Sequence, residues 1–316
     1  MSNLRDAMGL RMPYGKQESQ FETEFEPATG TIWGYFNPRG TPCFSLGLLK
    51  DIRAHDEALA RDGGTVVAGG EPHRANYYVC GSRAPRVFNF GGDLALFMLL
   101  IKARDRDALA HYARMCIDNM HARIQNYGVP GLVTISLVEG DALGGGMECA
   151  LSSDVVVVEE SVQMGLPEIV FNLFPGMGAC SLLARRVGMR EAERLMLSGR
   201  LLSAGELHER GIIDVLAKNG QGTTAVQEWI ASNHRRRNGT ASIFRARQIV
   251  QPITRSELNA VAELWVDAAF RLEDKDLKMM GRIVRSQMRR VELGVAPASP
   301  TFDAPEMLEP AIAAAL

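Results

Sequence analysis

The sequence predicts an α/β fold with a helical C-terminal region. Up to residue 221, short apolar, β-branched segments alternate with segments of helical spacing, and glycine-rich turns separate them. After that point the pattern is helical only. With 316 residues, of which 46 % are hydrophobic and 23 % charged, the chain can bury one large core or two ordinary ones. We therefore expect an ordinary soluble protein.

The charge balance and the termini exclude several classes of protein. Thirty-five Lys and Arg against 37 Asp and Glu leave a net charge of −2, so no overall basic field attracts nucleic acid or an anionic membrane. No apolar run approaches the ~18 residues of a spanning helix, and the polar start of the chain does not resemble a signal peptide. We expect a cytoplasmic protein. The five scattered cysteines include no CxxC pair, so neither a disulfide framework nor a metal site is expected.

Four segments are expected along the chain. Residues 1–28 mix charge, glycine and proline without an apolar period, and residues 294–316 contain four prolines among small side chains. Both predict terminal tails. Between them we expect an α/β core over 29–221 and a helical C-terminal subdomain over 222–293, in which 255–293 fits two helices that pack an apolar stripe.

Strands and helices follow from the period of the apolar residues. Strand patterns, rich in aliphatic, aromatic and β-branched residues, occur at 31–37, 75–81, 86–90, 132–140, 154–160 and 212–216. Helical patterns occur at 44–61, 91–105, 107–128, 144–153, 176–188, 190–199 and 203–211, several of them bounded by glycine. A loop is expected around Gly63–Gly70.

Familiar catalytic motifs are absent from the sequence. There is no GxSxG, HExxH or GxxxxGK[ST] motif, and none of the six histidines is near a candidate nucleophile in the sequence. The glycines at 176 and 178 begin like a dinucleotide-binding motif, but Ser181 occupies the third glycine position and no strand precedes them. We therefore expect neither metal nor nicotinamide chemistry.

Two glycine turns, at 90–93 and 144–146, each follow a predicted strand and precede a helix. Glycine allows the backbone to adopt positive φ and allows a ligand to approach the amides, although glycine also simply makes tight turns. Two such turns side by side could hold one developing oxyanion. Glu148 lies in an apolar helical segment just after the second turn, and Glu168 follows a Leu-Pro pair. Two carboxyl groups beside an oxyanion hole make a general acid/base pair.

These residues carry a resemblance to a known family. The segment ALGGGME at 142–148 is followed, twenty residues after its glutamate, by GLPEI at 165–169 and then by FPGMG at 174–178. This arrangement resembles the core signature of the crotonase (enoyl-CoA hydratase/isomerase) superfamily, and NFGGDL at 89–94 is similar to its first oxyanion loop. The resemblance implies a ββα spiral core, catalysis by Glu148 and Glu168, and an oxyanion hole made by the amides of Gly92 and Gly145.

Within this superfamily the sequence most resembles the synthases of diffusible signal factor, the cis-2-unsaturated fatty acids with which bacteria signal. The resemblance rests on PCFS at 42–45, FNFGGDLALF at 88–97, MGLPE at 164–168, LFPGMG at 173–178 and ELWVD at 263–267. Asn172 departs from the pattern, which has Asp there.

The resemblance implies a 3-hydroxyacyl thioester substrate, carried by acyl carrier protein or coenzyme A, which is dehydrated and then hydrolysed to the free acid. No cofactor is implied. Expected residues of the acyl pocket are Leu143, Met147, Met164, Leu173, Phe174, Met177 and Trp265. The implied partners are further copies of the chain, which would form a trimer or hexamer, and the receiver domain of a sensor kinase. The basic residues Lys278, Arg282, Arg285, Arg289 and Arg290 could contact an acidic carrier protein.

Two alternatives remain open at this point. The first is an enoyl-CoA hydratase/isomerase of fatty-acid metabolism, which differs in its carrier and releases no free acid. The second is a non-catalytic protein that binds acyl groups and regulates a sensor kinase, although the presence of both glutamates favours an enzyme.

Overall fold

The computed structural model describes residues 19–293, with side chains described up to residue 289. The strands are β1 (Phe21–Glu26), β2 (Thr31–Phe36), β3 (Thr65–Ala68), β4 (Glu71–Arg74), β5 (Tyr77–Ser82), β6 (Val87–Asn89), β7 (Val133–Val138), β8 (Asp141–Leu143), β9 (Val155–Glu159), β10 (Gln163–Gly165), β11 (Leu201–Ser203) and β12 (Val215–Ala217). The helices are α1 (Leu46–Arg61), α2 (Leu94–Lys102), α3 (Arg106–Ile124), α4 (Gly145–Leu151), α5 (Ala179–Val187), α6 (Met189–Ser198), α7 (Ala204–Glu209), α8 (Gly222–His234), α9 (Arg237–Val250), α10 (Arg255–Ala269) and α11 (Asp274–Leu293). Short 3-10 helices cover Asn126–Gly128 and Pro167–Phe171.

The chain passes back and forth between two sheets. The larger sheet has the order β1-β2-β5-β7-β9-β12, and the smaller one has the order β11-β10-β8-β6. Strands β5, β7 and β9 are parallel neighbours in the larger sheet. Strands β6, β8 and β10, each of which follows one of those three, are parallel neighbours in the smaller sheet. This repeat of two strands and a helical segment confirms the predicted α/β, crotonase-like ββα core.

Burial explains why the central strands were easy to predict. Every residue of β7 and of β9 is buried, as expected for parallel strands that are covered on both faces. Their unbroken aliphatic and β-branched runs match that environment.

Several strands were not predicted. Phe21–Glu26, inside the expected tail 1–28, forms β1 and pairs antiparallel with β2, so the tail prediction is wrong for these residues. The expected loop near Gly63–Gly70 contains β3 and the turn of a β3–β4 hairpin, whose second strand follows directly at Glu71. Strands β8, β10 and β11 have three residues each, too few to produce a periodic pattern. Residues 1–18 and the expected tail 294–316 lie outside the described part of the chain.

The C-terminal helices cover the α/β core. Leu258 and Trp265 of α10 belong to the main hydrophobic core, where α10 packs along α3. Val226 and Ile230 of α8 pack in the second core cluster, on the larger sheet. Helices α8, α10 and α11 therefore bury apolar side chains against the α/β core, whereas α9 leaves Ile243, Ile249 and Val250 exposed. Within the described residues, no helix is both long enough and apolar enough to cross a membrane.

Candidate active site

The first glycine turn connects β6 to α2 and leaves one backbone amide without a partner. Asp93 caps α2 by accepting a hydrogen bond from the amide of Leu96 at 3.0 Å. Around it, the amide of Phe90 donates to the carbonyl of Pro42, that of Gly91 to Asn89 Oδ1, and that of Asp93 to the hydroxyl of Tyr112. Within the described residues, the amide of Gly92 donates to no protein atom.

The second glycine turn connects β8 to α4 and lies against the first. Gly144 has a φ of +52°, a conformation that favours glycine, and the next residue begins α4. The amide of Gly145 likewise has no protein acceptor among the described residues. A Cβ at Gly145 would lie 3.3 Å from the Cα of Gly91 and 3.5 Å from the nitrogen of Gly92. The two free amides are therefore neighbours, as an oxyanion hole requires.

Glu148 lies in the first turn of α4 and is only 1 % exposed. Its Oε1 accepts hydrogen bonds from the amides of Met177 and Ala179, at 2.9 and 2.8 Å. Burial raises the pKa of this carboxyl above its ordinary value, and the backbone hydrogen bonds oppose that rise. The carboxyl can therefore hold a proton at pH values where an exposed glutamate would be ionised.

Glu168 lies in the 3-10 helix Pro167–Phe171, beside the second glycine turn. A Cβ at Gly144 would collide with its Oε1, so glycine is required there for space as well as for conformation. Its Oε2 is buried and has no hydrogen-bond partner in the described part of the protein. Burial, and then repulsion from the Glu148 carboxylate, raise the pKa of Glu168. The two carboxyls thus titrate as an interacting pair.

Both carboxyls and both free amides line one cavity of about 290 Å³. Apolar side chains from α2, α10 and α11 form much of its wall. Its lining residues are Phe90, Gly92, Leu94, Phe97, Leu143, Gly144, Gly145, Glu148, Pro167, Glu168, Phe171, Leu173, Gly176, Met177, Leu201, Trp265, Met279, Arg282, Ile283, Ser286 and Gln287. Apart from the two glutamates, the polar side chains in this lining all come from α11. The cavity can hold an apolar acyl chain next to an acid/base pair.

Three of the expected pocket residues lie elsewhere. Leu143, Leu173, Met177 and Trp265 do line the cavity, whereas Met147, Met164 and Phe174 do not. Met147 and Met164 are core residues with 2 % and 0 % exposure, and Phe174 packs at the edge of the same core. The expectation that these three form the acyl pocket is therefore corrected.

Sequence reasoning also missed several lining residues. Leu94 ends the segment that resembles the first oxyanion loop and Phe97 lies in the helix predicted over 91–105; their spacing of three positions places them on one face of α2. Met279, Arg282, Ile283, Ser286 and Gln287 are more than a hundred residues beyond the glutamates, and no local pattern links α11 to the site.

Asn172, the departure from the family pattern, connects the Glu168 segment to α11. It adopts a left-handed conformation with φ of +60°, which asparagine tolerates better than most residues. Its Nδ2 donates to Oδ2 of Asp276 at 3.2 Å, and the same oxygen accepts the amide of Glu273 at the start of α11. Asn172 thus joins the helix that carries Glu168 to the helix that covers the cavity.

Comparison with known proteins identifies the family. The family model described as enoyl-CoA hydratase/isomerase matches residues 77–263, which include both glycine turns and both glutamates. The chain belongs to this family. Within residues 19–289, no cluster of three or more His, Cys, Asp or Glu side chains could hold a metal ion.

This chain matches only part of the length of its curated relatives. Mouse mitochondrial methylglutaconyl-CoA hydratase is 40 % identical over 198 residues, which cover 62 % of this chain and 57 % of that protein. The peroxisomal fatty acid β-oxidation multifunctional protein AIM1 of Arabidopsis thaliana is 30 % identical over 142 residues, 45 % of this chain and 19 % of that protein. The chain therefore spans about a fifth to under three fifths of the length of these relatives.

Solved structures support the fold. An enoyl-CoA hydratase/isomerase from Xanthobacter autotrophicus superposes with a TM-score of 0.66 at 20 % identity, over 88 % of this chain and 97 % of that one. Pseudomonas aeruginosa DspI superposes with a TM-score of 0.60 at 23 % identity, over 76 % of this chain and 84 % of that one. At such identities the likeness concerns the fold alone.

Proposed function

We propose that this chain is a dehydratase and thioesterase that converts 3-hydroxyacyl thioesters into a free cis-2-unsaturated medium-chain fatty acid, used as a cell-to-cell signal. The observation that carries the proposal is one apolar cavity lined by two carboxyls of raised pKa and by two neighbouring unpaired amides. Membership of the enoyl-CoA hydratase/isomerase family supports the dehydration step. The resemblance to signal synthases supports the nature of the product.

Dehydration uses the pair of carboxyls as one base and one acid. The thioester oxygen accepts hydrogen bonds from the amides of Gly92 and Gly145, which stabilise the enolate as the proton leaves C2. The ionised member of the pair, Glu148 or Glu168, takes that proton. The protonated member gives its proton to the 3-hydroxyl, the C3–O bond breaks, the C2–C3 double bond forms, and one water leaves. Because repulsion disfavours two charges on the pair, a state with one shared proton suits this step.

Hydrolysis uses the same oxyanion hole. A water that loses its proton to one carboxylate attacks the thioester carbon, and the two amides stabilise the tetrahedral oxyanion. The C–S bond then breaks, the thiolate of the carrier receives the proton, and the free acid leaves. No further group is needed for the atoms and charges to balance.

The apolar lining of the cavity favours a medium acyl chain. Phe97, Leu173 and Trp265 line it together with further apolar side chains. Each CH₂ that moves from water into such a wall contributes ~0.8 kcal/mol, so eight additional carbons strengthen binding by several kcal/mol until the cavity ends. A substrate of about ten to fourteen carbons should therefore be preferred over 3-hydroxybutyryl thioester.

An exposed cationic stripe on α11 supports acyl carrier protein as the carrier. Lys278, Arg282, Arg285 and Arg289 are exposed and recur at helical spacing on one face, and Arg282 also lines the cavity. Within the described side chains none of the four forms an ion pair; Arg290 lies beyond them. From Lys278 to Arg289 the helix rises by about 16 Å, enough to face several carboxylates of an acidic protein.

Charge reversal tests this carrier. The variant Lys278→Glu/Arg285→Glu/Arg289→Glu should raise KM for the carrier-protein thioester by about tenfold and weaken its dependence on salt, since these charges act mainly on association. Turnover of the neutral N-acetylcysteamine thioester should not change. The control Arg190→Glu/Lys218→Glu reverses two exposed charges elsewhere. Equal effects on both thioesters would contradict docking of an acidic carrier.

A second candidate is an enoyl-CoA hydratase, which is favoured by relatives named as methylglutaconyl-CoA hydratase and 2,3-dehydroadipyl-CoA hydratase. Mass spectrometry of the fatty acids that cells release on expressing this chain separates the two functions. The proposal predicts a new cis-2-unsaturated free acid that disappears in a Glu148→Gln/Glu168→Gln variant. A hydratase would release none but would interconvert coenzyme A thioesters, and a non-catalytic acyl-binding regulator would do neither.

A further inference from the structure

The side chain of Asn89 holds the first glycine turn in place. Asn89 ends β6 and is 1 % exposed, and its Oδ1 accepts a hydrogen bond from the amide of Gly91 at 2.7 Å. Gly91 has a φ of +89°, and its carbonyl accepts the amide of Phe44 at 2.8 Å. In a trans peptide the C=O and the following N–H point in opposite directions. Fixing both ends of Gly91 therefore fixes the direction of the N–H of Gly92.

Asn89 also lies against the second turn. A Cβ at Gly146 would collide with the carbonyl oxygen of Asn89 and would lie 3.2 Å from its Cβ. Gly146 is the second residue of α4, directly after Gly145. Asn89 thus bonds the first turn through its side chain and lies against the second turn through its backbone carbonyl, so it connects the two turns that supply the free amides.

Among the described residues, the side-chain nitrogen of Asn89 is a buried donor without a hydrogen bond, which is rare in folded proteins. This Nδ2 atom is buried and has no hydrogen-bond partner in the described part of the protein. Leaving a buried donor unpaired is unfavourable. An aspartate could accept the same bond from Gly91 without that unpaired donor, but it would place a negative charge three residues from the amide of Gly92, which must stabilise another negative charge. A neutral acceptor is therefore the choice that suits an oxyanion hole.

We propose that Asn89 is a positioning residue of the oxyanion hole, which directs the amide of Gly92 towards the thioester oxygen and keeps this position uncharged. The inference rests on the proposed function only in that a thioester oxygen binds between the two amides. Asn89 itself does not line the cavity and does not touch the substrate.

Three variants test the inference. Asn89→Asp keeps the shape and the acceptor, so it should unfold close to the wild-type denaturant concentration while kcat falls by about 10- to 100-fold, with KM little changed. Asn89→Ala removes the acceptor and should lower kcat in the folded fraction. Asn76→Asp is the control for a charge placed away from the site: Asn76 is partly buried just before β5 and its side-chain amide donates to the carbonyl of Thr29, so this variant should lose stability and keep wild-type kcat. Wild-type kcat in Asn89→Asp would overturn the requirement for neutrality, and wild-type kcat in Asn89→Ala would overturn positioning.

Binding of the dethia analogue of 3-oxododecanoyl-N-acetylcysteamine, in which CH₂ replaces the thioester sulfur, separates this inference from the proposed function. The enolate of this 1,3-diketone places a negative oxygen in the hole, and the probe has neither a 3-hydroxyl to eliminate nor a C–S bond to hydrolyse. Wild type should bind it at least tenfold more tightly than Asn89→Asp and Asn89→Ala do. If wild type binds the probe but converts no 3-hydroxyacyl thioester, the proposed function is wrong. The affinities of the two Asn89 variants for the probe still decide whether Asn89 positions the oxyanion hole. Equal affinity in wild type and both variants, or no binding to wild type, overturns the inference. If Asn89→Asp does not fold, Asn89→Ala alone decides.

Discussion

Replacing either buried glutamate by glutamine separates its catalytic role from its effect on stability. In Glu148→Gln the side-chain oxygen can still accept the amides of Met177 and Ala179, which lie 2.9 and 2.8 Å from Oε1 in the wild type. The shape is kept and the proton transfer is lost. Turnover should therefore fall by ~10² or more in Glu148→Gln and in Glu168→Gln.

At high pH the same two substitutions should increase the free energy of unfolding, although they lower turnover. The pKa of each glutamate is raised in the folded protein, so the folded state binds these protons more tightly than the unfolded chain does. The resulting stabilisation is fully present below the ordinary carboxyl pKa and is lost as the pH rises through the folded-state pKa. At a pH above both the ordinary and the folded-state pKa, each unit by which folding raises the pKa lowers the free energy of unfolding of the wild type by about 1.4 kcal/mol relative to a neutral side chain.

Urea unfolding and thioester turnover, measured on the same samples, check both effects. Each glutamine variant should unfold at higher urea than wild type at about pH 9, and the difference should shrink towards about pH 4, where the carboxyls are protonated in both states. Glu228→Gln changes an exposed glutamate of α8 and should match wild type in both assays. Wild-type turnover in both variants, or a difference in unfolding that does not change with pH, would refute the reasoning.

Three further substitutions test the site. Gly145→Val forces a branched side chain against the first turn, 3.3 Å from the Cα of Gly91, so kcat should fall more than the melting temperature; a change in melting temperature alone would mean that the glycine only makes a turn. Gly144→Ala combines a positive φ with a collision at Glu168 Oε1, so activity should drop at least tenfold, which a kcat measurement checks against wild type. Leu173→Trp narrows the cavity, so specificity constants over a series of acyl chains should peak at shorter chains; an unchanged optimum would place the end of the chain elsewhere.

Local sequence patterns were sufficient for the core strands and for the reactive groups. The continuous aliphatic and β-branched segments of β7 and β9 are typical of buried strands and were sufficient to predict them. The spacing of three residues between Gly145 and Glu148 predicts that both lie on one face of α4. Helical geometry also explains why the prediction of Met147 as a residue of the acyl pocket is wrong. Two residues after Gly145, it lies on a different face of α4 and packs into the core.

Features that depend on distant pairing could not be predicted in this way. Strand β1 has a partly exposed, acidic sequence and exists because it pairs with β2. The wall that α11 contributes to the cavity depends on how the chain returns to the core, and contacts such as Asn172 with Asp276 join residues 104 positions apart. No period or spacing in the sequence encodes these contacts.

The most direct test of the central claim is the product that the purified protein forms from 3-hydroxydodecanoyl thioester on acyl carrier protein, identified by mass spectrometry. The proposed function predicts free cis-2-dodecenoic acid from wild type and unchanged substrate from Glu148→Gln/Glu168→Gln. An enoyl thioester without free acid, or no conversion of any 3-hydroxyacyl thioester, would contradict it.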